Sequence, residues 1–214
     1  MSASLHLRPA GNHDLRGHHL PELRYPHNCV LVVAGIPGAG KTTLLRRLFV
    51  VTGQESTAAR TSGRARVLDS AQARAWWRPY LNRLPYPWWR LLVHITHHLR
   101  LVIAIRTHSG PVAVHDCATR VWSRRLIVNA ARRSGKQVHL LMLDVPPNIA
   151  RAAQYARGRK VSAARFARHC RRWQHLREAA LGGPNIVQRH ITSTVLIDRA
   201  TAQRLAAIHF EDAP

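Results

Sequence analysis

The sequence predicts an α/β domain built on a doubly wound, five-stranded parallel sheet. Three observations support this. First, Cys29 to Ala34 is an apolar, β-branched run of buried-strand length. It is followed by Gly35-Ile36-Pro37-Gly38-Ala39-Gly40-Lys41-Thr42-Thr43, and then by Leu44 to Val50 with apolar residues at helical spacing. Strand, glycine loop and helix in that order make a phosphate-binding loop. Second, four further short apolar runs end in an acid, at Asp69, Asp116, Asp144 and Asp198, with segments of helical period between them, the alternation that builds a parallel sheet. Third, 214 residues suffice for one α/β domain with a proper core and are short for two.

Residues 1–27 carry Pro9, Gly11, Gly17, Pro21 and several histidines without a clear period, and read as a weakly specified arm ahead of one domain over 28–214. His13, His18 and His19 have no ligand spacing with cysteine or carboxylate, so a solvated arm is favoured over a metal site. After the glycine-loop helix comes a polar loop from Gly53 to Gly63, then a brief strand at Arg66-Val67-Leu68 ending in Asp69. Asp69 stands at the carboxyl end of a strand, where open α/β sheets bind ligands. It is a candidate base, with helix capping as the other reading.

A helix is expected from Ala71 to Trp77, a proline-broken link from Tyr80 to Pro85, and a long packed helix from Trp88 to Ile105 whose histidines line a solvent-facing stripe. The pairs Trp76-Trp77 and Trp88-Trp89 suit a satellite core more than a stacking platform for a base. The strand Val112 to His115 ends in Asp116, a candidate carboxylate for magnesium beside bound phosphates, with an N-cap again the alternative. A helix from Thr119 to Ser134 brings Arg120, Arg124 and Arg125 to the same edge. The strand Val138 to Asp144 follows, and Pro146-Pro147 opens another helix. Arg157, Arg159 and Lys160 surround Gly158 in a segment over about 155–165 that suits a lid closing on phosphates. Phe166, Cys170, Trp173 and Leu176 mark the inner face of a helix, and a last strand to Asp198 and a last helix, Ala200 to Ile208, end the domain.

The glycine loop has a physical logic. Backbone N–H groups must wrap a phosphate closely, and Gly35, Gly38 and Gly40 remove the Cβ atoms that would crowd them. The helix starting near Lys41 adds its unpaired N–H groups and positive dipole end. Lys41 reaches the outer phosphates, Thr42 offers a hydroxyl to Mg²⁺, and Thr43 lies near the α-phosphate. ATP and Mg²⁺ are therefore the expected ligands, with Gly35, Ile36, Pro37, Gly38, Ala39, Gly40, Lys41, Thr42 and Thr43 as the binding loop.

Basic residues outnumber acidic ones 33 to 10, a formal charge of +23. Lysine occurs only at Lys41, Lys136 and Lys160, and arginine is spread along nearly every segment. A nucleic-acid binder more often clusters its charge with interleaved aromatics, so nucleic acid is a possible but not a favoured partner. Cys29, Cys117 and Cys170 have no paired spacing, and neither a signal peptide nor a membrane span is expected. A cytoplasmic setting follows as the default, with the oligomeric state left open.

With these pieces in place the chain resembles the small P-loop kinases that group zeta toxins, gluconate kinases and polynucleotide kinases, over roughly Asn28 to Phe210. The resemblance rests on Gly35 to Thr43, on the strands ending Val114-His115-Asp116 and Leu143-Asp144-Val145-Pro146, and on Arg157-Gly158-Arg159. It implies transfer of the γ-phosphoryl of ATP to a hydroxyl of a small molecule. Asp69 would accept the acceptor's proton, Asp116 would serve magnesium with Thr42, and Arg157 would act from the lid. The family's further lid arginine, one turn before the Arg-Gly pair, is Ala153 here. A nucleotide-dependent nucleic-acid binder and a polynucleotide 5′-kinase are the competing readings.

Overall fold

The computed structural model describes residues 6–7, 9–49, 59–60, 65–156, 158, 162–182 and 190–211. In chain order these form β1 (His6–Leu7), β2 (Gly11–Asp14), β3 (Glu22–Tyr25), β4 (Cys29–Ala34), α1 (Lys41–Phe49), β5 (Ala59–Arg60), β6 (Arg66–Leu68), α2 (Ser70–Leu81) and α3 (Tyr86–Thr107). There follow β7 (Val112–His115), α4 (Val121–Arg133), β8 (Gln137–Asp144), α5 (Pro147–Ala156), α6 (Ala163–Leu181), β9 (Ser193–Asp198), α7 (Arg199–Arg204) and β10 (Ala207–Phe210).

Among the described residues the main sheet runs β2-β9-β8-β4-β7-β6-β5. Every pairing is parallel except β5 on β6. The most apolar strand takes the centre: all six residues of β4 are buried, and β8 and β7 pair on either side of it. A strand covered on both faces has no solvated side on which to place polar residues, hence the unbroken apolar run. Parallel pairing brings the loops after β4, β6, β7, β8 and β9 to one edge, where Gly35, Asp69, Asp116, Asp144 and Asp198 stand.

All five expected strands are present, and the sheet gains one more at each side. β2 joins at β9, in register from Gly11 against Ser193 to Asp14 against Leu196. Residues 1–27, expected as a weakly specified arm, thus carry β2 and β3 and bury Leu20, Leu23 and Tyr25. Partners far along the chain hold them, which a search for local period does not reveal. The final helix stops at Arg204 rather than Ile208, because the following segment forms β10 and pairs with β3 from Ala207 to Phe210. This second sheet, β1-β3-β10, packs on the domain through Phe210 stacked on Phe49 at 6.1 Å and Tyr25 against His139 at 5.0 Å.

Helix α2 runs past Pro79 to Leu81, where Asn82 N–H bonds Arg78 O at 3.0 Å. The proline removes one ladder bond, and packing against α3 carries the helix through. Each tryptophan pair divides. Trp89 and Trp77 turn inward around Ala73 and Val93, their indole N–H groups donating to Leu84 O at 3.2 Å and Thr96 Oγ1 at 2.9 Å. Trp76 and Trp88 face outward, Trp88 being 78% exposed. Among the described residues no helix is long and apolar enough to cross a membrane.

Candidate functional site

The loop after β4 encloses the Lys41 side chain, which is 4% exposed and donates from Nζ to Gly35 O at 2.7 Å and Ile36 O at 3.0 Å. Gly38 and Gly40 hold φ of +90° and +101°, left-handed values that only glycine adopts readily. A Cβ on Gly38 would also stand 2.0 Å from Ala150 O. Helix α5 therefore lies directly on the loop tip, and Gln154 Nε2 bonds Pro37 O at 2.9 Å.

Asp69 caps α2. Its Oδ1 accepts from Ala71 N at 3.0 Å, from Ser70 Oγ at 3.3 Å and from His115 Nδ1 at 2.8 Å. Gln72 completes a capping box by bonding Asp69 N at 3.1 Å. Oδ2 points the other way and accepts from the Thr42 hydroxyl at 3.4 Å. Burial alone would raise this carboxyl, but the His115 charge and hydrogen bond, with the Ala71 N–H, outweigh it and hold Asp69 well below the usual carboxylate range.

Asp116 engages a different set. Its Oδ1 accepts from Ala118 N at 3.2 Å, and its Oδ2 accepts from Ser123 Oγ on α4. His98 Nε2 lies 3.2 Å from that same Ser123 oxygen, while His98 Nδ1 lies 2.7 Å from His94 O. A carbonyl accepts only, so Nδ1 carries a proton. Ser123 thereby links His98 to Asp116 in one chain of hydrogen bonds.

Two further histidines line the region. His97 is 5% exposed and is pushed down to about 4, chiefly by burial and then by His98. His169 Nδ1 meets Thr119 Oγ1 at 2.8 Å. Burial, followed by Arg120, Lys41, Arg172 and Arg165, pushes it down to about 4.

Cavities border this edge. One of about 190 Å³ lies between the loop, α5 and α7, with Thr43, Ile149, Ala153, Arg199 and Gln203 in its walls. Arg47 fixes its far wall by donating to the α7 carbonyls Ala202 O and Gln203 O and to Leu205 O. A basic groove of about 540 Å³ between α4 and α6 holds Arg120, Arg124, Arg125 and Arg172. A trough of about 570 Å³ runs between α3 and α4.

Residues 30–180, well over half of the chain, match the family model described as an AAA domain. The chain belongs to the AAA-domain family. Among solved structures, this AAA-domain chain is similar to one from the PezAT chromosomal toxin–antitoxin system of Streptococcus pneumoniae, at 13% identity and a TM-score of 0.52, over 82% of this chain and 70% of that one. It is also similar to the tunicamycin resistance protein of Deinococcus radiodurans, at 18% identity and a TM-score of 0.47, over 82% and 90% of the two chains. The first likeness concerns the fold alone, an α/β P-loop fold. No curated protein matches the sequence.

In this AAA-domain chain Gly35 to Thr43 form the loop expected from sequence, and Thr42 meets Asp69. The Asp116 carboxylate turns to Ser123 instead. Asp144 is structural: Trp173 Nε1 at 3.0 Å, Arg16 at 3.0 Å and Arg177 at 3.4 Å hold it. Arg157, Arg159 and Lys160 lie outside the described residues, as does most of the polar loop from Gly53 to Gly63. Sequence reasoning missed His115, Ser123, Gln154 and the role of the α3 histidines. His94, His97 and His98 were expected on a solvent-facing stripe, yet His97 is buried and His98 reaches Ser123. The 94, 97, 98 spacing already places all three on one helix face.

Proposed function

We propose that this protein is an ATP-dependent phosphotransferase that moves the γ-phosphoryl group to a hydroxyl of a small molecule. The observation that carries the reading is the buried Lys41 ammonium, enclosed by a loop whose glycines leave the backbone open to a phosphate, with the Thr42 hydroxyl facing a carboxylate of depressed pKa. The residues fit both expected ligands. The loop N–H groups and Lys41 would hold the phosphates, and the cavity beside Thr43 would take the nucleoside. Thr42 and Asp69 would hold Mg²⁺, a hard cation usually carried by one or two protein oxygens plus phosphate and water. When bound, magnesium neutralises charge on the phosphoryl oxygens.

The two acids then exchange the roles expected from sequence. A base works best with a pKa near the working pH; Asp69, held far below it, is a poor base and a good metal ligand. Asp116 takes the hydroxyl proton as the acceptor oxygen bonds to the γ-phosphorus and the bond to the leaving ADP oxygen breaks. Ser123, itself in contact with His98, holds that carboxylate in place. A lid arginine at Arg157 remains part of the proposal, and a cytoplasmic setting, where ATP is at hand, suits it.

The test is ADP release with Mg²⁺ against a panel of hydroxyl metabolites and 5′-hydroxyl oligonucleotides, in wild type and Lys41→Ala. Acceptor-stimulated turnover that Lys41→Ala abolishes is expected, and equal turnover in the variant contradicts the reading. The basic groove between α4 and α6 favours a second reading, a polynucleotide 5′-kinase, and turnover on the oligonucleotides alone would select it.

A further inference from the structure

On α3, the face turned away from the sheet is apolar. Leu91, Ile95, Leu99 and Ile103 recur at every fourth position and are 69%, 57%, 58% and 49% exposed. On a surface helix this face ordinarily carries charge, and a contiguous apolar patch of this kind marks a binding surface. Helix α4 supplies the facing wall of the trough with Trp122 and Leu126. Trp122 is itself half-exposed and lies 4.5 Å from the His98 ring.

The same trough has a polar, cationic stretch. Arg90, His94, His98 and Arg120 line it, and His98 is one hydrogen bond from Ser123 and two from Asp116. The apolar wall therefore runs up to His98, the outer end of the chain of hydrogen bonds that reaches Asp116. From Ser70 to His115 and from Cys117 to Leu143 the sequence contains no Asp or Glu, so no acid of α3 or α4 offsets these cations.

We propose that the phosphoryl acceptor is a hydroxyl-bearing amphiphile with an anionic head, its head against Arg90 and Arg120 beside Asp116 and its apolar tail along the trough between α3 and α4. This rests on the phosphotransferase reading above. A second copy of this chain is a poorer occupant, because its α3 would bring Arg90, Arg100 and Arg106 against the same arginines. A flat anionic membrane is poorer too, since the histidine and arginine contacts lie within a concave trough whose His98 is linked to Asp116 through Ser123. A tail inside it would shed apolar area along Ile95, Leu99 and Leu126, and affinity would rise with each methylene removed from water.

The experiment uses 1-octyl-, 1-decyl- and 1-dodecylglycerol 3-phosphate, each with one free hydroxyl, and glycerol 3-phosphate as the tailless control, all below their micelle concentrations. Calorimetric titration reads binding, ADP release reads transfer, and the melting shift with ATP and Mg²⁺ reads the nucleotide site independently. Affinity is expected to rise about fourfold per methylene, as burial of a CH₂ dictates, and the dodecyl compound is expected to stimulate ADP release. Ile95→Asn with Leu99→Asn, both at exposed positions, is expected to weaken dodecyl binding at least about tenfold and to leave the ATP shift unchanged. Affinity independent of chain length, unchanged binding by the double variant, binding only to anionic vesicles, or a wild-type dimer that the double variant dissociates would each overturn the inference. Absence of the ATP shift with chain-length-dependent binding intact would instead remove the phosphotransferase reading, and with it the acceptor role of the bound amphiphile.

Discussion

Asp69 and Asp116 end neighbouring strands and are both acids, yet their surroundings set them to different work. Three donors crowd Oδ1 of Asp69 and leave Oδ2 toward Thr42, whereas Asp116 accepts from Ser123, which also meets His98. Asp69→Asn is accordingly expected to weaken Mg²⁺-dependent nucleotide binding and turnover together. Asp116→Asn is expected to keep nucleotide binding and lose about 10²- to 10⁴-fold in transfer rate. Nucleotide titration beside transfer assays on both variants checks this, and the reverse pattern restores the roles read from sequence. The sequence shows that each acid ends a strand but not which side-chain oxygens remain available after folding. His97, His139 and His169 add a pH dependence, since each is pushed down to about 4, chiefly by burial. The unfolded chain takes up protons near pH 6.5 and the folded one only near 4, so stability is full above about 6.5 and falls as pH drops toward 4. Melting temperatures at pH 7.5, 5.5 and 4.5 should decline in that order, and a flat series would contradict the buried, neutral histidines.

Helix α5 is the element that decides how the loop is closed. Its Ala150 carbonyl lies where a Gly38 side chain would be, so Gly38→Ala must both adopt a left-handed φ and push α5 away. The backbone term alone costs about 1–2 kcal/mol, and a loss of nucleotide affinity larger than the loss of melting temperature accounts for is expected. Melting curves with and without ATP test this, and an unchanged ATP shift would show that α5 is free of the loop. The glycine loop was legible because its residues adjoin in sequence and each has a local reason. The α5 contact was not, because Gly38 and Ala150 meet only through the β4 to β8 pairing. The α3 histidines fell between these cases: their spacing was visible, but which face met the sheet depended on the exposed stripe of Leu91, Ile95, Leu99 and Ile103 lying opposite, a stripe that amphipathic reasoning assigns to the core.

Across the whole molecule, the five central strands were legible from apolar runs punctuated by acids, because a strand buried on both faces must be apolar throughout. The outer strands were not, since β2 and β10 are short, mixed in polarity and held by partners some 180 residues distant in sequence. A charge of +23 surrounds this frame and attracts any polyanion. If such attraction is incidental, oligonucleotide binding should be independent of sequence and fall steeply with salt; tight binding of one defined oligonucleotide at physiological salt would favour the nucleic-acid reading. The central claim is that the loop around Lys41 holds a nucleotide triphosphate. The most direct measurement is the melting temperature with and without ATP and Mg²⁺, in wild type and Lys41→Ala. At ligand about 100-fold above its Kd, wild type should gain about 2.7 kcal/mol, or roughly 5–10 °C in a chain of this size, and Lys41→Ala should gain nothing; an unshifted wild-type curve, or an equal gain in the variant, would contradict the account.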